Sequence, residues 1–208
     1  MTARAALRKV RVAPRGRRSR VAFAVAAVIA AAGAIVALVL PGRSAGQAFP
    51  ALTAAAAPAG WHHVTLPNAT AVLSYPPSLR PVRGDKVAVS AAQVSSAGAF
   101  ELYLNATPRE GTENLQHWAA FRLHLLTSDD AASAHLVAAA QGVRFRGGTG
   151  SCVIDRYVTK IHANHFEEIA CLVQGRTGAS VVVGAAPSAR WAQASPLLLR
   201  AVGAYTVR

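Results

Sequence analysis

The first forty residues divide into a basic segment and an apolar run, and this division predicts a membrane anchor. Residues 1–20 hold eight of the chain's 22 basic residues, and residues 21–40 contain no charged side chain. An α-helix of that length spans about 30 Å, which matches the hydrocarbon core of a bilayer. We therefore predict a basic cytoplasmic segment over residues 1–20 and a single transmembrane helix over residues 21–40.

Positive charge beside the apolar run predicts its orientation. The topology signal is the group Arg15, Arg17, Arg18 and Arg20, whereas Arg43 is the one basic residue close to the other end of the run. The positive-inside rule then keeps the N-terminus in the cytoplasm. Residues 41–208 are predicted to lie on the outer side of the plasma membrane. The predicted membrane helix makes the lipid bilayer one partner of the protein. Small residues after the run leave open cleavage by a signal peptidase, which would give a secreted protein.

The pattern changes twice beyond the predicted membrane helix. Residues 41–60 contain three prolines, one charge and little periodicity, which indicates a flexible Pro/Ala/Gly linker. Residues 61–208 contain the aromatic residues and alternating segments of a folded domain. Their number suits one extracytoplasmic domain with its own core.

Within that domain, apolar and polar residues mostly alternate with the period of two that is typical of strands. A helical stripe follows Thr112, and Ser195 with Pro196 marks the start of a second helix. The fold class is therefore predicted to be α+β, an antiparallel β-sheet covered by at least two helices. The predicted strands are residues 71–75, 86–93, 100–105, 136–146, 151–160, 166–174 and 179–185, with a short closing strand at residues 205–207. The predicted helices are residues 112–126 and 195–204.

Several short stretches carry a family resemblance. They are LSYPP (73–77), YLN (103–105), WAAFR (118–122), CVIDRY (152–157), EIAC (168–171) and the segment 198–207. In these the domain resembles the PsbP-like (Mog/PsbP) α/β/α sandwich proteins, in particular exported actinobacterial relatives of the LpqN type. The resemblance implies a non-catalytic binding or assembly domain and supplies no catalytic residue to transfer. No cofactor is expected. Where such relatives are lipoproteins, this chain departs from them, because it has no cysteine near the apolar run.

The distribution of charge argues against a nucleic-acid partner. The net charge of the whole chain is +13, but residues 21–208 hold 14 basic and 9 acidic residues, which leaves only +5. The basic block at residues 1–20 contains no aromatic side chain for base stacking. It is better explained as a topology signal that also attracts anionic lipid headgroups.

The chain has two cysteines, Cys152 and Cys171. They fall on successive predicted strands, in a domain expected to face an oxidising compartment. If they lie side by side across a hairpin, its tip falls near His162. We predict a structural disulfide between them.

Arg122 lies in the middle of the apolar stripe of the first predicted helix, so it requires either a buried carboxylate or a route to solvent. Asp155, in an apolar strand, is the preferred partner in a buried ion pair. The alternative is that the guanidinium reaches solvent past Trp118.

The sequence predicts the membrane topology more clearly than it predicts the function. The leading hypothesis is a non-catalytic domain that binds an envelope protein or another envelope ligand through the surface around Tyr75, Arg80 and Arg83. The alternatives are an envelope enzyme with a metal or His/Glu site near His165 and a structural spacer. The histidines and glutamates at 162, 165, 167 and 168 would supply that site, but consecutive strand residues point to opposite faces, which favours a solvated hairpin tip.

Overall fold

The computed structural model describes residues 48–208. The basic segment with Arg15, Arg17, Arg18 and Arg20 and the predicted membrane helix at residues 21–40 lie outside the described residues. Among residues 48–208, no helix combines the length and the apolar character needed to cross a bilayer.

The described part contains ten strands, two α-helices and one short 3-10 helix, Ser188–Arg190. The elements, in chain order, are β1 (His62–Thr65), β2 (Ala71–Tyr75), β3 (Arg80–Pro81), β4 (Val89–Val94), β5 (Phe100–Pro108), α1 (Trp118–Asp129), β6 (Ala131–Phe145), β7 (Gly148–Thr159), β8 (His165–Gln174), β9 (Ala179–Pro187), α2 (Trp191–Gly203) and β10 (Thr206–Val207). The strand pattern of the sequence is thus confirmed, and β2 has the predicted bounds.

Seven strands form one antiparallel sheet in the order β3-β4-β5-β9-β8-β7-β6, and β1-β2-β10 form a second, smaller sheet. Strands β8 and β9 are buried along nearly their whole length. Side chains on both faces of a strand are buried only when both faces of the sheet are covered. The mostly antiparallel α+β architecture predicted from the sequence is therefore confirmed.

The two faces of the large sheet carry separate apolar cores. One face packs with α1 around Trp118, whose indole Nε1 donates to the Ala170 carbonyl at 2.9 Å. The other face packs with α2, the small sheet and Tyr205. We call these the α1 face and the α2 face.

Helix α1 begins six residues after the predicted N-cap, Thr112. Side chains hold the preceding residues in turns: Asn114 Oδ1 accepts from the His117 amide at 3.0 Å, and Glu113 Oε2 accepts from the Gly111 amide at 2.8 Å. Asn readily forms such local hydrogen bonds, which compete with helix formation. The prediction of a helix start at Thr112 was therefore wrong.

Helix α2 begins at Trp191, before the predicted start at Ser195, and contains Pro196 in its second turn. Proline removes one helical hydrogen bond. Extending the helix by a turn buries Ala194 and packs Trp191 against the core, in register with Leu198. That burial offsets the missing hydrogen bond.

The two cysteines form the predicted disulfide. Cys152 lies directly opposite Cys171 in the β7–β8 pairing, the two residues are completely buried, and their Cα atoms are 4.1 Å apart. The hairpin turns at His162 and Ala163, both with positive φ. This is the predicted tip. A loop of this size contributes roughly 3 kcal/mol in the chain-entropy model.

Part of the segment predicted as a flexible linker packs against the domain. Phe49 and Leu52 contact the α2-face core, and the Ala55 amide donates to the Gly203 carbonyl at 3.1 Å. A Cβ at Gly203 would lie 2.5 Å from the Thr53 carbonyl oxygen, so only glycine permits this approach. The domain therefore extends further towards the N-terminus than its predicted boundary at residue 61.

Candidate binding groove

One row of residues crosses the α1 face and connects the buried charges with the open part of the sheet. In the strand register, Tyr103 on β5 lies opposite Ala185, Ala185 opposite Glu168, and Glu168 opposite Asp155. Directly opposite residues have Cβ atoms about 5 Å apart. The row therefore places two carboxylates side by side and continues to a tyrosine at the other end.

Arg122 of α1 reaches this row and pairs with Glu168. Its Nη2 lies 2.5 Å from Glu168 Oε1, and its Nε donates to the same oxygen at 2.7 Å. The arginine side chain is 15% exposed and that of Glu168 is 2% exposed. Arg122 is therefore buried, as predicted. The prediction of Asp155 as its partner was wrong, because the partner is Glu168. Asp155 lies directly opposite Glu168 on the neighbouring strand, but the guanidinium makes its hydrogen bonds to Glu168.

Asp155 is completely buried, and neither of its carboxylate oxygens has a hydrogen-bond partner among the described residues. Loss of hydration and, next, the negative charge of Glu168 raise the pKa of this carboxyl, Arg122 lowers it in part, and the net result is a pKa of about 8. Asp155 is therefore protonated at neutral pH. The Arg122 pKa, which burial alone would lower, is raised overall, mainly by the charge of Glu168.

Beyond the charged row, the α1 face opens into a groove of about 330 Å³. We call it the aromatic groove. It is lined by Val82, Arg83, Phe100, Tyr103, Tyr157, Phe166 and Ala185. Two ring pairs form much of its wall, with centroids 5.7 Å apart for Tyr157–Phe166 and 5.6 Å apart for Phe100–Tyr103.

Several contacts hold these walls in place. The Tyr103 hydroxyl lies 3.2 Å from the buried Ser90 Oγ, and Asn105 Nδ2 donates to the same Ser90 oxygen at 2.8 Å. At the same residue, the Val82 amide donates to the Ser90 carbonyl at 3.0 Å and ties the Val82–Arg83 segment to β4. Burial and nearby negative charge raise the pKa of Tyr157, so its hydroxyl stays neutral.

Of the predicted binding residues, the structure brings one to the groove. Arg83 lines it and is exposed, whereas Arg80 is exposed on β3 outside it. Tyr75 is only 3% exposed and packs against the His62 ring at 5.4 Å. Including Tyr75 in a binding surface was therefore wrong, because both β1 and the core cover its side chain.

The four residues proposed as metal ligands do not all come together: His165 and Glu167 border one cavity, whereas Glu168 and His162 lie elsewhere. Glu167 lies on the α2 face and Glu168 on the α1 face, as alternation along a strand requires. His162 is exposed at the hairpin tip. Residues 48–208 contain no group of three or more His, Cys, Asp or Glu side chains suited to a metal ion.

The groove residues missed by the sequence reading are Phe100, Tyr157 and Phe166. Each lies in a segment correctly predicted as a strand, where an aromatic residue ordinarily indicates a core position. Only the pairing of Tyr157 with Phe166, and the place where α1 stops covering the sheet, leave these rings beside open space. The alternation of apolar and polar residues along the strands does not indicate that these three rings border open space.

Neither protein-family models nor curated protein sequences match this chain. Among solved structures, the fold is similar to the solution structure of a cyanobacterial PsbP protein, CyanoP, from Synechocystis. The TM-score is 0.53 at 12% sequence identity, covering 73% of this chain and 94% of that one. A Pseudomonas aeruginosa protein of unknown function, PA94, matches at a TM-score of 0.46 and 12% identity, covering 71% of this chain and 97% of that one. The PsbP-like fold indicated by the short motifs is thus confirmed.

We predict that Arg122→Met lowers the free energy of unfolding by about 3–5 kcal/mol, because Glu168 is then left buried without a counter-charge. The double variant Arg122→Met/Glu168→Leu should recover most of this loss. Urea denaturation followed by tryptophan fluorescence measures both. Arg190→Met is the matched control: it removes the more exposed pair with Glu101, at 2.6 Å, and should change stability by less than about 1 kcal/mol. Wild-type stability of Arg122→Met would contradict the assigned pair.

We predict that the stability of Asp155→Asn relative to wild type increases as the pH rises from 5 to 7.5, at up to about 1.4 kcal/mol per pH unit. Between the unfolded pKa of 3.8 and the raised folded pKa of about 8, folded Asp155 keeps a proton that the unfolded chain has lost. Wild-type stability therefore falls with pH in this window, whereas asparagine does not titrate. Asp129→Asn controls for the loss of one exposed acidic residue. A stability difference independent of pH would refute the raised pKa.

Proposed function

We propose that this protein is a membrane-anchored binding protein of the cell envelope, whose exported domain holds a partner protein in the aromatic groove and performs no chemistry of its own. The PsbP-like domain resembles a non-catalytic binding or assembly fold. The observation that carries the proposal is the groove itself, an open space with aromatic walls on the α1 face of the sheet.

The composition of the groove supports a protein partner. Aromatic side chains and arginine are enriched at the centres of protein interfaces, where they provide large contact areas with little loss of conformational entropy. Phe100 is 46% exposed and lies beside the Tyr103 ring in the groove wall. Covering the Phe100 ring with an apolar side chain of a partner would remove its exposed area from water.

The positive charge beside the groove indicates which kind of protein segment binds there. Arg83 is the charged residue of its lining. Burial raises the pKa of the neighbouring Tyr157, so its hydroxyl stays neutral. A cation at the edge of an apolar space suits a partner segment with an apolar side chain next to an acidic one. We therefore propose an acidic and apolar segment of another envelope protein as the occupant.

The membrane anchoring in this proposal is supported by the basic block followed by the uncharged run at residues 21–40. The buried disulfide agrees with an oxidising compartment. Together they support a single-pass plasma-membrane protein with its C-terminal domain outside the cytoplasm.

We predict that a reporter active only outside the cytoplasm is active when fused after Arg208, and that the protein stays in the membrane fraction after carbonate extraction. Replacing Arg15, Arg17, Arg18 and Arg20 with glutamate should reduce reporter activity, because the topology signal is removed. The matched control replaces four arginines of the domain instead: Arg109, Arg144, Arg176 and Arg200. Release of a shortened, soluble protein would show signal cleavage and refute the anchor.

We predict that a photo-crosslinker in place of Phe100 captures an envelope protein in cells, and that Arg83→Glu reduces the yield at least about tenfold through repulsion of the acidic segment. Arg80→Glu is the matched control, because it reverses an exposed arginine on the adjoining strand outside the groove. A crosslinker at Ile161, which is 72% exposed on the hairpin tip, controls for non-specific capture. Equal yields from positions 100 and 161, or no effect of Arg83→Glu, would refute the groove as the binding site.

A further inference from the structure

A second cavity lies on the α2 face, on the side of the sheet opposite the aromatic groove. Its volume is about 390 Å³, and polar side chains from β6, β7, β8 and the 3-10 helix surround it. The polar residues that line it are Ser133, His135, Arg156, His165, Glu167 and Ser188. We call it the arginine cavity.

The strand register arranges most of these side chains in two adjacent rows. His135, Arg156 and Glu167 lie directly opposite one another across β6, β7 and β8. Ser133 and His165 flank Val158 in the next row on the same face. Because directly opposite side chains are about 5 Å apart at Cβ, the arginine lies between an imidazole and a carboxylate.

The carboxylate at one end of the first row orients the arginine. Glu167 is 4% exposed, and its Oε2 accepts a hydrogen bond from Arg156 Nε at 2.6 Å. Among residues 48–208, the Arg156 guanidinium makes this one side-chain hydrogen bond, through Nε. Its two terminal nitrogens therefore stay available to a ligand. The arginine side chain is 58% exposed. A buried carboxylate thus fixes a guanidinium whose outer edge faces an open cavity.

We infer that the arginine cavity binds a phosphate group. An arginine edge presents two parallel N–H donors to an oxyanion. His135 and His165 supply imidazole donors, and Ser133 and Ser188 supply hydroxyl donors from separate elements. Donors that converge from several directions suit the tetrahedral oxygens of phosphate better than the two coplanar oxygens of a carboxylate. This site is independent of the aromatic groove and of the partner proposed there.

The test is phosphate titration of the full-length protein in phosphatidylcholine nanodiscs, followed by histidine imidazole NMR signals. His→Gln variants assign the seven histidines. Phosphate should shift the signals of His135 and His165 but not those of His117 and His124, which are exposed on the preceding turn and helix, outside the cavity. The site-specific signals separate this binding from any phosphate held by the basic segment at residues 1–20.

Variants test the donors individually. Arg156→Lys keeps a positive charge beside Glu167 but loses the paired donors, and should weaken phosphate binding roughly tenfold. His135→Gln and His165→Gln, both at exposed positions, should each weaken it several-fold, whereas His124→Gln should leave it unchanged. Acetate should bind more weakly than phosphate. Unshifted His135 and His165 signals, or equal affinities of Arg156→Lys and wild type, would overturn the inference.

The source of the phosphate group is separated by repeating the titration in phosphatidylglycerol nanodiscs. If the cavity takes a lipid headgroup, the anionic lipid competes, and free phosphate binds more weakly than in phosphatidylcholine. If it takes a soluble phosphate ester, the affinity is the same in both kinds of disc. Both results uphold a phosphate site, provided that the His135 and His165 signals respond.

Discussion

The ion pair between Arg122 and Glu168 is the constraint on which the α1 face depends. A guanidinium and a carboxylate removed from water must satisfy each other, because either one alone in the core would be strongly unfavourable. The pair ties α1, which packs over β6 and β7, to Glu168 on β8. Trp118, one turn earlier, adds a hydrogen bond to the Ala170 carbonyl and completes the attachment.

The position of α1 decides which part of the sheet stays open. The helix covers the rows around Val153 and Ala170, and the charged row ends under Arg122. The next row presents Tyr157 and Phe166 to the aromatic groove. Asp155 lies beside Glu168 without a hydrogen-bond partner among residues 48–208, and its burial, together with the charge of Glu168, raises its pKa to about 8. One helix attachment thus generates both the buried charges and the exposed aromatic wall.

Adjacent glutamates on β8 connect the two faces of the domain. Glu168 points to Arg122 on the α1 face, and Glu167 points to Arg156 on the α2 face. Each arginine is held by a buried carboxylate, but Arg122 is enclosed under the helix while Arg156 keeps its outer edge in an open cavity. Glu168 therefore has a structural role on the α1 face. Glu167 orients Arg156, the donor of the proposed phosphate site on the α2 face.

The sequence by itself determined the strands, the fold class and the disulfide, because alternation has a fixed period and the hairpin tip places Cys152 opposite Cys171. It also placed Arg122 in a buried stripe. The tertiary structure decided that Glu168 and not Asp155 is the partner, that Tyr75 is buried and that the rings at 100, 157 and 166 border open space. Those outcomes depend on register and on where α1 ends, and both are set by contacts between residues distant in sequence, which no local pattern records.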